Sequence, residues 1–292
     1  MAVERSKGGE EPAAVERPER AEEPKDEGDG ALKRISAIVA IAGNTFRETV
    51  RDRVLYAFVL FAFLVTLAGI LLGSLSVGQD LRVLEDLGLT TIAFIGGIIA
   101  IFVGTSLVYK EVERRTIYLI LTKPISRWQF IAGKYLGLAL CVFVVTLAMG
   151  GFLLATVFLY SPEHVVNLLL WQSLAYIFLE LLFVTAVATF FSTFSTPVMS
   201  VLFTLGFWLI GHMGQSLREL GKLSANQAVA RFFDTIYWLV PDLARLTEIR
   251  ADLMYGRQPE PELIFYLLSY VIAYILFLLT LCTVVAERRE FP

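Results

Sequence analysis

Histidine and cysteine, which often act as catalytic bases, nucleophiles or metal ligands, are rare in this sequence. The two histidines, His164 and His212, are far apart in sequence and have no ligand cluster beside them, so each is interpreted as a lone interfacial side chain. The two cysteines, Cys141 and Cys282, lie within apolar runs and are typical of small apolar fillers. We therefore expect no dedicated metal site, no disulfide framework and no paired catalytic groups.

Glycine–lysine pairs could hold phosphate, but a nucleotide-binding loop needs Gly, four residues and then Gly-Lys-Ser/Thr. The pairs at 133–134 and 221–222 are followed by Tyr135 and Leu223. A nucleotide-binding loop has Ser or Thr at this position, whose hydroxyl group binds magnesium. The chain is therefore not expected to be an enzyme that hydrolyses ATP.

Glu180 is an acidic residue near the middle of a long apolar run. A charge at the centre of a membrane-spanning helix costs about 3 kcal/mol on insertion scales, so this side chain must face protein or water. Two interpretations stay open, a residue on a substrate or proton path and a helix-packing contact. The sequence identifies no partner for it.

The densest cluster of basic residues lies in ERRTIYLILTKPISRWQFIAGK, between two apolar runs. Pro124 disfavours helical geometry for Lys123, so a short helix over 116–122 should end there. Ser126, followed three residues later by Gln129, has the form of a capping box that would begin a new helix.

Apolar side chains are unexpected in such a polar segment, yet five of them follow Glu113: Ile117, Leu119, Ile120, Leu121 and Ile125. They favour burial against a second protein. The alternative is that the basic residues anchor the segment to anionic lipid.

Composition indicates the elements that must position these residues. The chain of 292 residues is 56% hydrophobic and 18% charged, whereas about a quarter of a soluble domain is charged. An apolar run of about 20 residues can cross the bilayer as a helix. Six runs meet that length closely enough to predict an all-α integral membrane protein with six transmembrane helices: Val54–Leu75, Leu89–Tyr109, Tyr135–Tyr160, Leu168–Phe191, Val198–Met213 and Leu263–Val285.

Two segments precede these spans. Residues 1–31 are acidic, contain Pro and Gly and have almost no large apolar side chains, so we predict a disordered tail. Residues 32–53 have apolar residues at helical spacing and predict an amphipathic interfacial helix. Gly43-Asn44 favours a break from the first span, and the alternative is one continuous helix. The transmembrane domain would then occupy 54–292, with a cytoplasmic loop at 110–134 and an external helical region at 214–262.

Basic residues near span ends favour the cytoplasmic side. They cluster before the first span, between the second and third, and after the sixth: Lys33, Arg34, Arg47, Arg51, Arg53, Lys110, Arg114, Arg115, Lys123, Arg127, Lys134, Arg288 and Arg289. The loop predicted at 76–88 holds only Arg82, and the loop at 161–167 holds none. We predict that both termini are cytoplasmic, in a multi-pass protein of the bacterial inner or plasma membrane.

Two short helices are predicted between the fifth and sixth spans. The first has an apolar face from Val229 to Val240 and ends at Pro241. The second begins with Asp242 as its N-cap and runs to about Tyr255, with Gly256 as its stop. They are interpreted as interfacial helices, or alternatively as an external gate.

Three stretches carry a resemblance to a known family: NTFRETVRDRVLYAFVLF, LVYKEVERRTIYLILTKPISRWQFIAGKYLG and FFSTFSTPVMSVLF. Together they resemble ABC transporter permeases of the ABC-2 type, and most closely the branch with the permeases of nitrous oxide reductase maturation and gliding motility. The resemblance implies that the loop after the second span holds a coupling helix that docks on a separate ATPase subunit. That role would fall to Glu111, Glu113, Arg114, Arg115, Thr116, Lys123, Pro124, Ser126 and Arg127. Many members of the family have Gly where this chain has Arg115.

The resemblance implies a function as the permease subunit of an ABC transporter, expected to be an exporter. ATP and magnesium would act through the partner ATPase, with no cofactor bound directly. A second permease copy or a related permease, and the lipid bilayer, are the other expected partners, with no nucleic acid. The alternative is a membrane scaffold, an assembly or motility component that anchors an ATPase without transport.

Overall fold

The computed structural model of the chain describes residues 27–74, 80–114, 126–161, 168–223 and 226–288. All regular secondary structure within these ranges is helical. The helices, numbered along the chain, are α1 (Glu27–Val50), α2 (Arg53–Ser74), α3 (Asp80–Arg114), α4 (Arg127–Tyr160), α5 (Leu168–Phe194), α6 (Pro197–Leu223), α7 (Gln227–Leu239), α8 (Ala244–Met254) and α9 (Pro261–Arg288).

Six of these helices, α2 to α6 and α9, are long and apolar enough to cross a membrane, which confirms the predicted all-α class and number of spans. α3 and α5 are the most buried spans and pack against each other at the centre. α2 and α9 leave most of their apolar surface exposed, as helices facing lipid would. The bundle has two ends, called here the α1 end and the α8 end after a helix that lies at each.

The break before the first span does not fall at Gly43-Asn44, because α1 continues through both residues to Val50. Instead the chain turns at Arg51 and Asp52, and an Asp52 carboxylate oxygen accepts a hydrogen bond from the Val54 amide at 3.1 Å. This bond satisfies one of the free amides at the start of α2. The other boundary also differs, since residues 27–31, expected in the tail, are helical; the expected disorder of 1–26 lies outside the described residues.

Two of the predicted boundaries at the α8 end are wrong. Most of the loop expected at 76–88 is helical, because α3 already begins at Asp80. The fifth span, expected to end at Met213, continues as α6 to Leu223. Beyond the apolar run, α6 is held by α7, whose Asp234 pairs with Arg218 at 2.9 Å. The Arg218 guanidinium also lies 4.6 Å from the ring centroid of Tyr237.

α8 ends as predicted, with Gly256 at a φ of 74°, a conformation that favours glycine. Its start differs from the prediction, because Leu243 rather than Asp242 is the N-cap residue. The Asp242 carboxylate is engaged elsewhere: it accepts a hydrogen bond from Gln215 at 3.2 Å and lies 3.5 Å from Arg245. Asp242 therefore links α6 to α8.

α1 packs tightly against the beginning of α4, which is the main contact at the α1 end. Two glycines of α4 make this approach feasible. A Cβ on Gly133 would lie 3.0 Å from the Ile38 carbonyl oxygen, and one on Gly137 would lie 2.5 Å from that of Ala42. Small residues at such positions let helix backbones approach closely in membranes.

Hydroxyl side chains in the helices bind mainly within their own helix. The Ser and Thr side chains named below each donate a hydrogen bond to the carbonyl oxygen four residues earlier, at 2.7 to 2.9 Å. The bond satisfies a hydroxyl group for which lipid offers no partner. The residues concerned are Thr49, Thr66, Thr91, Thr105, Thr156, Ser173, Thr185, Thr189, Thr193, Thr204, Thr280 and Thr283.

We expect Gly137→Ala to destabilise the protein, because its new methyl group would overlap the Ala42 carbonyl and force α1 away from α4. Overpacking of this kind costs about 1–3 kcal/mol of the free energy of unfolding. The measurement is the midpoint of heat-induced loss of monodisperse protein in detergent. Gly151→Ala is the matched control, because a Cβ at that position of α4 meets nothing within 4 Å. Equal midpoints for the two variants would contradict the contact.

Candidate functional site

Glu180 lies near the middle of α5, and its side chain is only 2% exposed. It faces the interior of the bundle among α3, α6 and α8 rather than lipid. A carboxyl group at this depth must find its partners within the protein. The structure supplies these partners from two other helices.

α6 provides two partners for one oxygen of Glu180. The indole Nε1–H of Trp208 donates to Glu180 Oε1 at 3.2 Å, and His212 Nε2 lies 3.2 Å from the same oxygen. Trp208 and His212 are one helical turn apart on α6, so both side chains reach α5 on the same face. The His212 side chain is 28% exposed, which makes it the open edge of the group.

The second ring nitrogen of His212 helps to show which atoms of the His212–Glu180 pair carry protons. His212 Nδ1 lies 3.0 Å from the Trp208 carbonyl oxygen, which can only accept a hydrogen bond, so Nδ1 carries a proton. A hydrogen bond between Nε2 and Glu180 Oε1, which lie 3.2 Å apart, then requires one further proton, carried by either Nε2 or the carboxyl group. The pair is either an imidazolium with a carboxylate or a neutral imidazole with a carboxylic acid, and both forms have zero net charge.

The position of Trp208 is set by α3. A Cβ on Gly97 would lie 2.9 Å from the Trp208 ring, so glycine leaves the space that the indole fills. Phe94, almost one turn earlier, lies 5.9 Å from Trp208 between ring centroids. This packing fixes the indole so that its N–H points at Glu180.

Arg250, on α8, is the fourth member of the cluster and is 8% exposed. Burial lowers the pKa of Arg250, and the negative charges of Glu180 and Asp86 act in the opposite direction. Its Nη1 is buried and has no hydrogen-bond partner among the described residues. The Arg250 guanidinium is therefore incompletely hydrogen-bonded within the described part of the chain. We call Glu180, Trp208, His212 and Arg250 the buried cluster.

The sequence analysis placed Glu180 correctly inside the bundle but missed its partners. The interpretation of His212 as a lone interfacial side chain is wrong, because His212 contacts Glu180. A signal was present: polar or amphipathic residues recur every fourth position along α6, at Ser200, Thr204, Trp208 and His212. Such a stripe in an apolar helix indicates a face turned towards protein.

The residues expected to couple to an ATPase lie at the α1 end. Glu111, Glu113 and Arg114 form the last turn of α3, and their side chains lie outside what the structure describes. Arg115, Thr116, Lys123 and Pro124, with the short helix expected at 116–122, also lie outside the described residues.

The two remaining coupling residues are described. Ser126 precedes α4, and its amide donates to the Gln129 side chain at 3.1 Å, so this half of the predicted capping box is formed. The guanidinium of Arg127 donates to the carbonyl oxygen of Ala286 near the end of α9. Arg127 thus joins the start of the third span to the end of the sixth. Nearby, the Lys134 ammonium lies 4.4 Å from the centroid of the Phe130 ring.

Metal binding finds no support in the part of the chain that the structure describes. Within it, no group of three or more His, Cys, Asp or Glu residues could hold a metal ion.

Six apolar spans around a buried cluster that contains ionisable side chains define a polytopic membrane protein. Comparison with known protein families matches residues 39–291 to the family described as ABC-2 family transporter protein. The chain belongs to this family and is a membrane permease subunit of an ABC transporter. A comparison with curated proteins finds no match. The resemblance to one particular branch of the family stays a prediction.

Trp208→Phe should lower the stability of the protein, because it keeps the aromatic packing but removes the donor to Glu180. A buried acceptor that loses its donor costs about 1–3 kcal/mol. The measurement is again the thermal midpoint in detergent. Trp128→Phe is the control, since that indole is exposed at the start of α4. If the two substitutions change the thermal midpoint equally, the hydrogen bond from Trp208 to Glu180 does not contribute to stability.

Proposed function

We propose that this permease is an exporter, driven by a separate ATPase subunit that docks on the segment between α3 and α4. Family membership over residues 39–291 is the observation that carries the proposal, because members of this family work with an ABC ATPase. The absence of a nucleotide-binding loop from the sequence agrees with it, since the energy must then come from a partner. ATP and magnesium would be bound by that partner.

The contacts at the α1 end support transmission of force from such a docking site. The segment 115–125 connects the end of α3 to the start of α4. From there, Gly133 and Gly137 hold α1 in close contact, and Arg127 holds the end of α9. A displacement of the segment would therefore move α1, α4 and α9 together, along with the directly attached α3.

The remaining parts of the proposal concern the assembly and its orientation. Two permease copies, or this chain and a relative, would surround a pathway in the cell membrane. The basic residues at the α1 end support a cytoplasmic position for both termini and for the docking segment. The α8 end would then face outward.

Orientation can be tested with single cysteines at the two ends. Ser126→Cys should resist a membrane-impermeant maleimide in intact cells, whereas Tyr255→Cys should react, because Ser126 and Tyr255 are exposed at opposite ends of the bundle. Both should react in detergent. Cys141 and Cys282 are buried and give little background. Labelling of Ser126→Cys in intact cells would refute the orientation.

Docking can be tested by capturing the permease from gently solubilised native membranes and measuring the ATP hydrolysis that accompanies it. Reversing the two charges where α3 meets the docking segment, Arg114→Glu with Arg115→Glu, should reduce the captured activity by about tenfold or more, because like charges at an interface cost several kcal/mol.

Arg82→Glu is the control for docking, since Arg82 lies at the opposite end of α3. Undiminished capture with the double substitution would refute docking on this segment. Normal capture by wild-type protein without any ATP-dependent movement of solute into or out of vesicles would favour the scaffold.

A further inference from the structure

The face of α6 that points away from the bundle carries a regular row of side chains. Two series of residues with seven-residue spacing run along the helix, Met199, Gly206, Met213 and Leu220 in the first and Leu202, Leu209, Ser216 and Leu223 in the second. Each member of the second series follows a member of the first by three residues, which is the spacing of positions a and d in a coiled-coil heptad. We call these eight residues the α6 seam.

The α6 seam is open in the single chain. Its six large apolar side chains are 47% to 82% exposed. The buried residues of α6, among them Trp208 and Gly211, lie on the opposite face. α7 packs away from the seam as well, where its Asp234 pairs with Arg218. The other described helices therefore hold α6 by the face opposite the seam.

Lipid can cover the seam only as far as the hydrocarbon extends. Beyond Met213 the helix carries the charged residues Arg218 and Lys222, which are typical of a segment outside the hydrocarbon. At a rise of 1.5 Å per residue, Leu220 and Leu223 lie about 10 and 15 Å past Met213, and both are exposed. A seam that keeps one register inside and outside the hydrocarbon matches a partner helix as long as α6 rather than lipid.

Gly206, at the centre of the seam, is not explained by packing among the described residues. A Cβ on Gly206 would meet nothing within 4 Å, whereas a Cβ on Gly211 or Gly221 of the same helix would meet a neighbouring side chain at 2.9 or 3.0 Å. Glycine destabilises the interior of a helix. Its presence is explained if another helix approaches from outside, because small residues let membrane helices pack closely.

The residues beside the seam suit a second copy of α6. Two copies of the chain with the same orientation in the membrane, related by a two-fold axis, would present the same face to each other with their α6 helices parallel. In a parallel pair, each g position lies beside the e position that comes five residues later in the other helix. These pairs are apolar for Val198 with Phe203 and for Leu205 with Ile210. No like charges meet there.

We propose that the α6 seam is the surface through which two copies of this chain pair, as a parallel and left-handed helix pair centred on Gly206. The inference rests on the proposed function, which places two permease copies around a pathway, and it adds the surface that joins them. His212 lies at a g position beside the seam, so Leu217 of the second copy would cover it. Pairing would thus close the open edge of the buried cluster.

The test is disulfide cross-linking of single cysteines in native membranes, after Cys141 and Cys282 have been replaced by Ala, with copper phenanthroline as the oxidant. Ser216→Cys and Leu220→Cys should each give about tenfold more cross-linked dimer than the controls, because paired helices hold the two thiols at a high effective concentration. Lys222→Cys is the control on the same helix, since Lys222 is exposed on another face. Leu276→Cys, exposed on α9, measures random collisions in the bilayer.

Gly206→Phe tests the close approach at the centre of the seam. Added to Leu220→Cys, it should lower the yield of cross-linked dimer by about tenfold, because two bulky side chains at facing positions overpack the pair. Gly151→Phe is the matched control, since a Cβ on this glycine of α4 also meets nothing within 4 Å. Both positions are open in the single chain, so both variants should fold and elute as monodisperse protein.

The proposal is overturned if the seam cysteines cross-link no better than Lys222→Cys and Leu276→Cys, or if Gly206→Phe and Gly151→Phe give equal yields. Joint capture of two differently tagged copies from the same membranes tests the assembly apart from its surface. Joint capture without seam cross-links refutes the seam and leaves the two-copy assembly of the proposed function standing. Capture of a related permease in place of the second copy refutes self-pairing.

Discussion

A carboxyl group within a membrane-spanning bundle must find its hydrogen bonds and counter-charge in the protein, since lipid tails provide neither. In this chain the group is Glu180, and meeting its requirements draws four helices together. α6 supplies an indole donor and an imidazole, and α8 supplies a guanidinium. α3 contributes the glycine that lets the indole lie flat against it. The contact of α5 with α6 at this depth is therefore tied to the needs of one ionisable side chain.

The α1 end is organised differently, by close approach of backbones rather than by charge. Gly133 and Gly137 allow α1 to pack tightly against α4, and Arg127 binds a free carbonyl near the end of α9. The end that would receive force is thus held by close backbone packing and by the hydrogen bond of Arg127. Towards the opposite end, polar contacts between side chains join the helices, among them those of Trp208 and His212 with Glu180.

The spans were predictable because each depends on a local property, a run of apolar residues long enough to cross hydrocarbon. Helix ends were less predictable. Gly43-Asn44 lies inside α1, because the contact of α1 with α4 outweighs the weak local preference of these two residues for a helix break. α6 extends beyond its apolar run because α7 packs against the extension. The partners of Glu180 are distant in sequence, so no local pattern could connect Glu180 to His212 or Arg250. The four-residue polar stripe on α6 was the nearest available signal.

The hydroxyl groups described above bind carbonyls of their own helices, and this has a consequence for movement. A hydroxyl bonded to a neighbouring helix would have to break that bond in hydrocarbon whenever the two helices slid past each other. Here the hydrogen bonds of the threonines stay intact when their helix moves, as for Thr185 and Thr189 of the central α5. For these threonines, sliding exchanges one set of dispersion contacts for another, so they add little resistance to the motion of the bundle, unlike the bonds that join Trp208 and His212 to Glu180.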